Sequence, residues 1–253
     1  ELKTDYTHIN DIINFKVKKI SCIFNDPFFT DLKDISFQVK EGEIFGIAGV
    51  ACNCQTELMN MLTGEVIQKN SNGQSRATLV PIDLKNFDEL KKVASAINER
   101  FGKLDVLVAN AGQLGALTPL TDIEPRSWQN LIDINLTANW YLIKSLKSLL
   151  LCSDSGRAMF LTSGVAGGRA YWGGYAVTKT ALEAMVRTWA QEMSETGVKI
   201  NLINPGMVRT KMRALAYPGE DPMTVHKPEE ITEVFVKLGE PGCDLNGQTI
   251  IAQ

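Results

Sequence analysis

Histidine is nearly missing from this chain: His8 and His226 are its only two, far apart in sequence. A His-based nucleophilic triad or a His-rich metal site therefore lacks its parts, and no metal is expected. Cysteine is also sparse. Of the five, only Cys52 and Cys54 lie close together, and none shows a paired zinc-binding spacing. Reduced thiols in a cytoplasmic protein are the expectation. No apolar run is long enough to span a bilayer. The polar start Glu1-Leu-Lys-Thr-Asp-Tyr6 has no signal-peptide pattern, although it opens on Glu rather than Met. The net charge of −3 gives no basic footprint and argues against nucleic acid as a partner. What is present is a 44% apolar content over 253 residues. That is enough for one large α/β domain, or one medium domain and a piece of another.

From about residue 77 onward, strand-like and helix-like patterns alternate. Short apolar runs at 77–82, 104–109, 158–162, 199–203 and 249–252 read as strands. Between them, apolar residues at helical spacing predict helices over 87–101, from Pro125, over 174–195 and over 228–238. Gly197 is the expected C-cap of the third of these. Such alternation predicts an α/β fold, a Rossmann-like doubly wound parallel sheet with helices on both faces. The first third differs. Residues 12–18 and 35–39 look like alternating strands, 43–48 like a third, and 57–62 like a short helix closed by Gly64. A polar, turn-rich stretch at 68–76 reads as a linker, giving segments 1–67, 68–76 and 77–253.

Tyr175-Ala-Val-Thr-Lys179, with Ser163 upstream at the end of a predicted strand, carries the chemistry. Residues four apart on a helix share a face, so a phenol and an ammonium meet there. A strand tip beside a helix start is where α/β enzymes place reacting groups. A free tyrosine has a pKa near ~10, too high for efficient proton exchange at neutral pH, and a neighbouring cation lowers it. Leu182, Met185, Val186, Trp189 and Met193 form a stripe at helical spacing, read as core or as a helix–helix dimer face. Gly167-Gly-Arg-Ala-Tyr-Trp172 and the loop around 212–223 should border the substrate, the second as a lid.

With Asp83, Asn110-Ala111-Gly112, Asn135 and Pro205-Gly206 followed by Thr210, these residues make 77–253 resemble a short-chain dehydrogenase/reductase. The resemblance implies hydride transfer between NAD or NADP and a small carbonyl or alcohol substrate. In it Tyr175 exchanges the proton and Ser163 orients the substrate oxygen. Lys179 supplies charge and holds the nicotinamide ribose, and Asn135 holds a relay water. It further implies cofactor contacts at Asp83, Leu84, Asn110, Ala111, Gly112, Tyr175, Lys179, Pro205, Gly206, Val208 and Thr210. Homo-oligomers are common in that family, and the expectation carries over by analogy.

The front departs from this pattern. The family's opening Thr-Gly-x-x-x-Gly-x-Gly turn, which seats a pyrophosphate on a helix N-terminus, is absent. Instead, residues from about 10 to 66 resemble the start of an ATP-binding-cassette domain of a sugar or nucleoside importer. The approach Leu32-Lys-Asp-Ile-Ser-Phe-Gln-Val-Lys-Glu-Gly-Glu-Ile-Phe-Gly-Ile-Ala-Gly49 carries that likeness. Its phosphate loop is degenerate: Cys52 and Cys54 stand at glycine positions, and Gln55 replaces the lysine. Either residues 43–48 fill the first slot of the sheet beside 104–109, or the front is foreign and the chain a chimera. The function readings follow that division. The chain is an active oxidoreductase, an impaired chimera that no longer binds dinucleotide, or a nucleotide-binding importer fragment.

Overall fold

Apolar residues at alternate positions in the strands and at every third or fourth position in the helices decide which surfaces can meet. The computed structural model describes the backbone of residues 13–22 and 32–40, together with residues 80 and 82–253. In the first part, β1 (Ile13–Cys22) and β2 (Leu32–Lys40) pair antiparallel, from Ile13 opposite Lys40 to Cys22 opposite Leu32. Both strands run past the expected 12–18 and 35–39, because each ladder bond fixes the next residue whatever its polarity. The predicted segments at 43–48, 57–62 and 68–76 lie outside the described residues, as does most of 77–82.

The second part is a parallel sheet. Strands β3 (Val106–Ala109), β4 (Arg157–Leu161), β5 (Lys199–Asn204) and β6 (Thr249–Ile251) lie in that order, each pair parallel. Helices α1 (Phe87–Phe101), α2 (Pro125–Ile132), α3 (Ala138–Leu151) and α4 (Gly173–Glu192) fall before and between them. Two shorter helices, α5 (Lys211–Ala216) and α6 (Thr232–Gly239), precede the last strand. The period of two in the strands builds a core on each face. Leu107, Ala158, Phe160, Ile200 and Leu202 face α1, α3 and α4. Val106, Met159 and Ile203 face Leu238 of α6. Helices on both faces of a parallel sheet bear out the expected α/β, Rossmann-like architecture.

Local signals place most boundaries. Leu90, Val93, Ala94 and Ile97 are the buried stripe of α1, and Gly102 ends it with φ +69°. Pro125 opens α2 at its first position, where a missing N–H costs nothing. Gly197 does not cap α4. The helix stops at Glu192, and Met193 and Thr196 turn the chain before β5. The expected helix over 228–238 starts as a 3₁₀ turn, Pro228–Ile231, before becoming α6. Leu182, Val186, Trp189 and Met193 are buried in the main core with Met185 packed against it, so the stripe of α4 is core rather than a docking face.

Candidate active site

Two segments bring the candidate side chains to the carboxyl end of the sheet. Strand β4 ends at Leu161, and Thr162-Ser163 follows as it leaves the sheet. Helix α4 begins two residues before Tyr175. The Ser163 hydroxyl lies near enough to the Tyr175 phenol to favour its ionised form. Lys179, one turn on, places Nζ 5.7 Å from the centroid of the Tyr175 ring and donates to the Leu161 carbonyl at 2.7 Å. Phenol, hydroxyl and ammonium therefore converge, as the spacing predicts.

Burial sets their protonation. Tyr175 is 7% exposed and Lys179 3%. Desolvation pushes the Tyr175 phenol above its usual range, and the nearby Ser163 hydroxyl offsets part of that rise. The same desolvation lowers Lys179 to about 8. The expected depression of the tyrosine by its lysine is thus overturned. Lys179 Nζ lies 5.7 Å from the ring centroid, and loss of water is the largest influence on the phenol.

Asn135 has a different surrounding from the one expected. It lies in a π-helical turn, Asp133–Thr137, inserted between α2 and α3, a distortion frequent at functional sites. It is fully buried. Its Oδ1 accepts from the Gln113 N–H at 2.7 Å, and its Nδ2 donates to the Gln113 carbonyl at 2.9 Å and to Thr178 Oγ1 at 3.1 Å. Asn135 therefore clamps the segment after β3 to α4. Asn139 closes the distortion by donating to the Asn135 carbonyl at 2.9 Å.

Asn110, Ala111 and Gly112 leave the end of β3 half-exposed. A Cβ at Gly112 would sit 3.5 Å from Lys179 Nζ and 3.6 Å from Asn135 Oδ1, so a bare backbone keeps the lysine approachable. Lys179 has three donors, of which the Leu161 carbonyl takes one. That donor set fits the hydroxyls of a nucleotide ribose. On the far side, the Gly206 N–H bonds Asn204 Oδ1 at 3.1 Å, while Gln253 covers Gly206 and donates to the Met207 carbonyl at 2.8 Å. Val208 is buried and bridges to His226, and Pro205 is half-exposed beside it. Thr210 caps α5 by accepting from the Arg213 N–H at 3.1 Å.

Asp83 and Leu84 stand apart from the Tyr175 and Lys179 cluster. Asp83 is exposed and accepts from the Lys85 N–H at 3.0 Å. It lines an open cleft with Asn86, Asn130, Asp133 and Tyr141, which none of Ser163, Tyr175, Lys179 or Asn135 lines. Leu84 packs half-buried against the main core.

The sequence reading missed the supports. Thr162 donates to Glu183 at 2.7 Å, Glu183 pairs with Arg187 at 2.7 Å, and Arg187 reaches Thr249 on β6 at 3.0 Å. Glu183 stands four residues after Lys179, the one signal that could have revealed it. The predicted lid comprises α5 and the chain from there to residue 223. Its Met212 and Ala216 pack on the cluster of Tyr175, Val165, Leu114 and Trp172.

Comparison with known proteins agrees with this geometry. The short chain dehydrogenase family matches residues 46–221, a match that opens inside the segment 43–48. The uncharacterized oxidoreductase YciK of Escherichia coli is 37% identical over 168 residues, 66% of this chain and 66% of the relative. An uncharacterized NAD-dependent oxidoreductase of Mycobacterium tuberculosis is 32% identical over 191 residues, 67% of this chain and 68% of the relative. The chain thus spans about two thirds of the length of these curated relatives. Among solved structures, a short chain dehydrogenase from Salmonella enterica serovar Typhi superposes with a TM-score of 0.72 at 32% identity, covering 82% of this chain and 83% of that one. One from Shigella flexneri, complexed with NADP, gives 0.71 at 32% identity over 79% and 83%. With the parallel sheet and the Ser163, Tyr175 and Lys179 cluster already in place, the chain belongs to the short chain dehydrogenase family of oxidoreductases.

Proposed function

We propose that this chain interconverts a small carbonyl compound and its alcohol with NAD(H) or NADP(H). The convergence of Tyr175, the neighbouring Ser163 hydroxyl and Lys179, whose Nζ lies 5.7 Å from the Tyr175 ring centroid, carries the reading. Bound nicotinamide supplies or takes the hydride. Tyr175 Oη gives its proton to the substrate oxygen in the reducing direction and regains it in the other. Its raised pKa keeps the phenol protonated at neutral pH, the form that reduction requires. Ser163 holds the substrate oxygen against that proton. Lys179 turns its remaining donors to the ribose hydroxyls and keeps a positive charge beneath the ring. Asn135 holds the segment 110–113 and α4 in register, and a water relayed towards Lys179 is part of the same proposal.

Asn110, Ala111, Gly112, Pro205, Gly206, Val208 and Thr210 are proposed to border the dinucleotide. Asp83 and Leu84 are proposed for its adenine end. The relatives named as NAD-dependent and the NADP-bound neighbour support the cofactor class, with the choice between the two left to experiment. Residues 77–253 are proposed as the dehydrogenase domain, and the family match, which opens at residue 46, takes in the stretch before it as well. The free thiols Cys152 and Cys243 fit a reducing, cytoplasmic setting.

Fluorescence titration with NADH and with NADPH tests the reading directly. Saturable binding of at least one is expected, and Tyr175→Phe should retain that affinity while losing turnover. Absence of saturable binding by either cofactor would overturn it.

A further inference from the structure

The loop between Ser163 and α4 is built under strain. Gly167 and Gly168 stand at φ +99° and +106°, and Tyr171, which bears a side chain, is also left-handed at +69°. Backbone of this kind persists where surrounding contacts over-determine it, and it clusters at sites of function. The contacts are present: the Gly167 N–H bonds Thr180 Oγ1 of α4 at 2.8 Å, and the Trp172 N–H bonds the Arg169 carbonyl at 3.1 Å.

This loop presents Arg169. Its guanidinium lies 5.6 Å from the centroid of the Trp172 ring and 5.9 Å from that of Tyr217, and it donates to Tyr217 Oη at 2.8 Å. Trp172 in turn stands 6.0 Å from the Tyr175 ring. The cation is therefore two ring spacings from the phenol proposed to exchange the proton. Arg213 covers the face of Tyr217 at 3.8 Å, but Glu220 neutralises it through two hydrogen bonds of 2.6 and 2.5 Å. Arg169 has no carboxylate partner among the described residues. A guanidinium held beside two rings by one hydrogen bond keeps its other donors free, and five donors less one leave a fork for an anion.

We infer that Arg169 determines specificity by binding an anionic group of the substrate. The substrate class is then a carbonyl compound or alcohol whose carboxylate or phosphate lies at the end remote from the reacting carbon, with an apolar or ring-bearing middle against Trp172. This rests on the oxidoreductase reading above.

The test compares 4-carboxybenzaldehyde, its methyl ester and 4-formylphenyl phosphate as substrates, with NADH and NADPH, for wild type, Arg169→Leu and Arg169→Lys. Wild type should favour an anionic aldehyde over the ester in kcat/KM by about tenfold or more, the worth of one charge-assisted hydrogen bond. That ratio should fall to near one in R169L and stay intermediate in R169K. The two anionic arms separate carboxylate from phosphate recognition. Equal use of ester and anions by wild type, or a ratio that survives in R169L, overturns the inference while leaving the enzyme reading intact. Turnover of none of the three would count against the activity itself. Terephthalate binding, followed by tryptophan fluorescence, then decides the anion site: an affinity about tenfold weaker in R169L supports it, and an unchanged affinity overturns it.

Discussion

Helix α4 buries Tyr175, Thr178, Lys179, Leu182 and Val186 at 7, 0, 3, 1 and 0% exposure. The loop just before it leaves Tyr171 66% exposed, and the lid beyond β5 leaves Leu215 and Met223 at 75% and 74%. Both regions border one site, yet they are held by different forces. Helix α4 packs closely on β5, on α2 and on the π-helical turn, an arrangement that tolerates little change. The loop and lid meet through rings, two arginines and a handful of hydrogen bonds, each worth about 1 kcal/mol. The group proposed to exchange the proton sits on the rigid part, and the residue proposed to choose the substrate sits on the part that can vary.

The largest effect should come from Tyr175→Phe. It removes the proton donor but keeps the buried ring, so turnover should fall about 10²–10⁴-fold. A stopped assay with unchanged cofactor titration checks this. A loss of fold instead would mean that the hydroxyl also stabilises α4.

Lys179→Met should separate stability from activity in the same helix. Lys179 falls from an unfolded value of 10.5 to about 8 when folded. Below about 8 the burial cost is fully present. Between about 8 and 10.5 the unfolded chain binds more protons, so stability rises with pH across that window. At pH 7, K179M should therefore be more stable by about 1–3 kcal/mol, less the lost bond to Leu161, while losing turnover. Chemical denaturation at pH 7 and again near the top of the window checks the sign: the gain should shrink at the higher pH.

Asn135→Ala should cost about 1–3 kcal/mol, because the Gln113 N–H and carbonyl and Thr178 Oγ1 lose a common partner. Urea midpoints measure it, and a neutral result would break the view of Asn135 as a clamp. The smallest effect belongs to the exposed loop. Tyr171→Gly relieves the left-handed strain but frees the unfolded chain, for a net gain of up to about 1 kcal/mol. Thermal melts of that variant beside N135A would sharpen the contrast between packed helix and strained loop.

Several features are legible in the chain itself. The stripe of α1, Pro125 at the start of α2 and the placement of Ser163, Tyr175 and Lys179 all depend on short-range spacing, which a helix or strand converts directly into a shared face. Gly197 misled because a glycine near a helix end signals a turn without saying which residue closes the helix. Asp83 and Leu84 show a second limit of local signals. A residue after a strand can be named from its neighbours, but whether it faces a cleft or the core depends on what packs over it.

The amino-acid order alone determined the parallel α/β plan and the meeting of phenol, hydroxyl and ammonium, since both follow from periods of two and 3.6 residues. Only the folded arrangement decided the rest: that burial raises the tyrosine and lowers the lysine, that Asn135 clamps Gln113, and that Arg169 lies beside Trp172. Desolvation and stacking are properties of neighbours distant in the chain, and no local pattern records them.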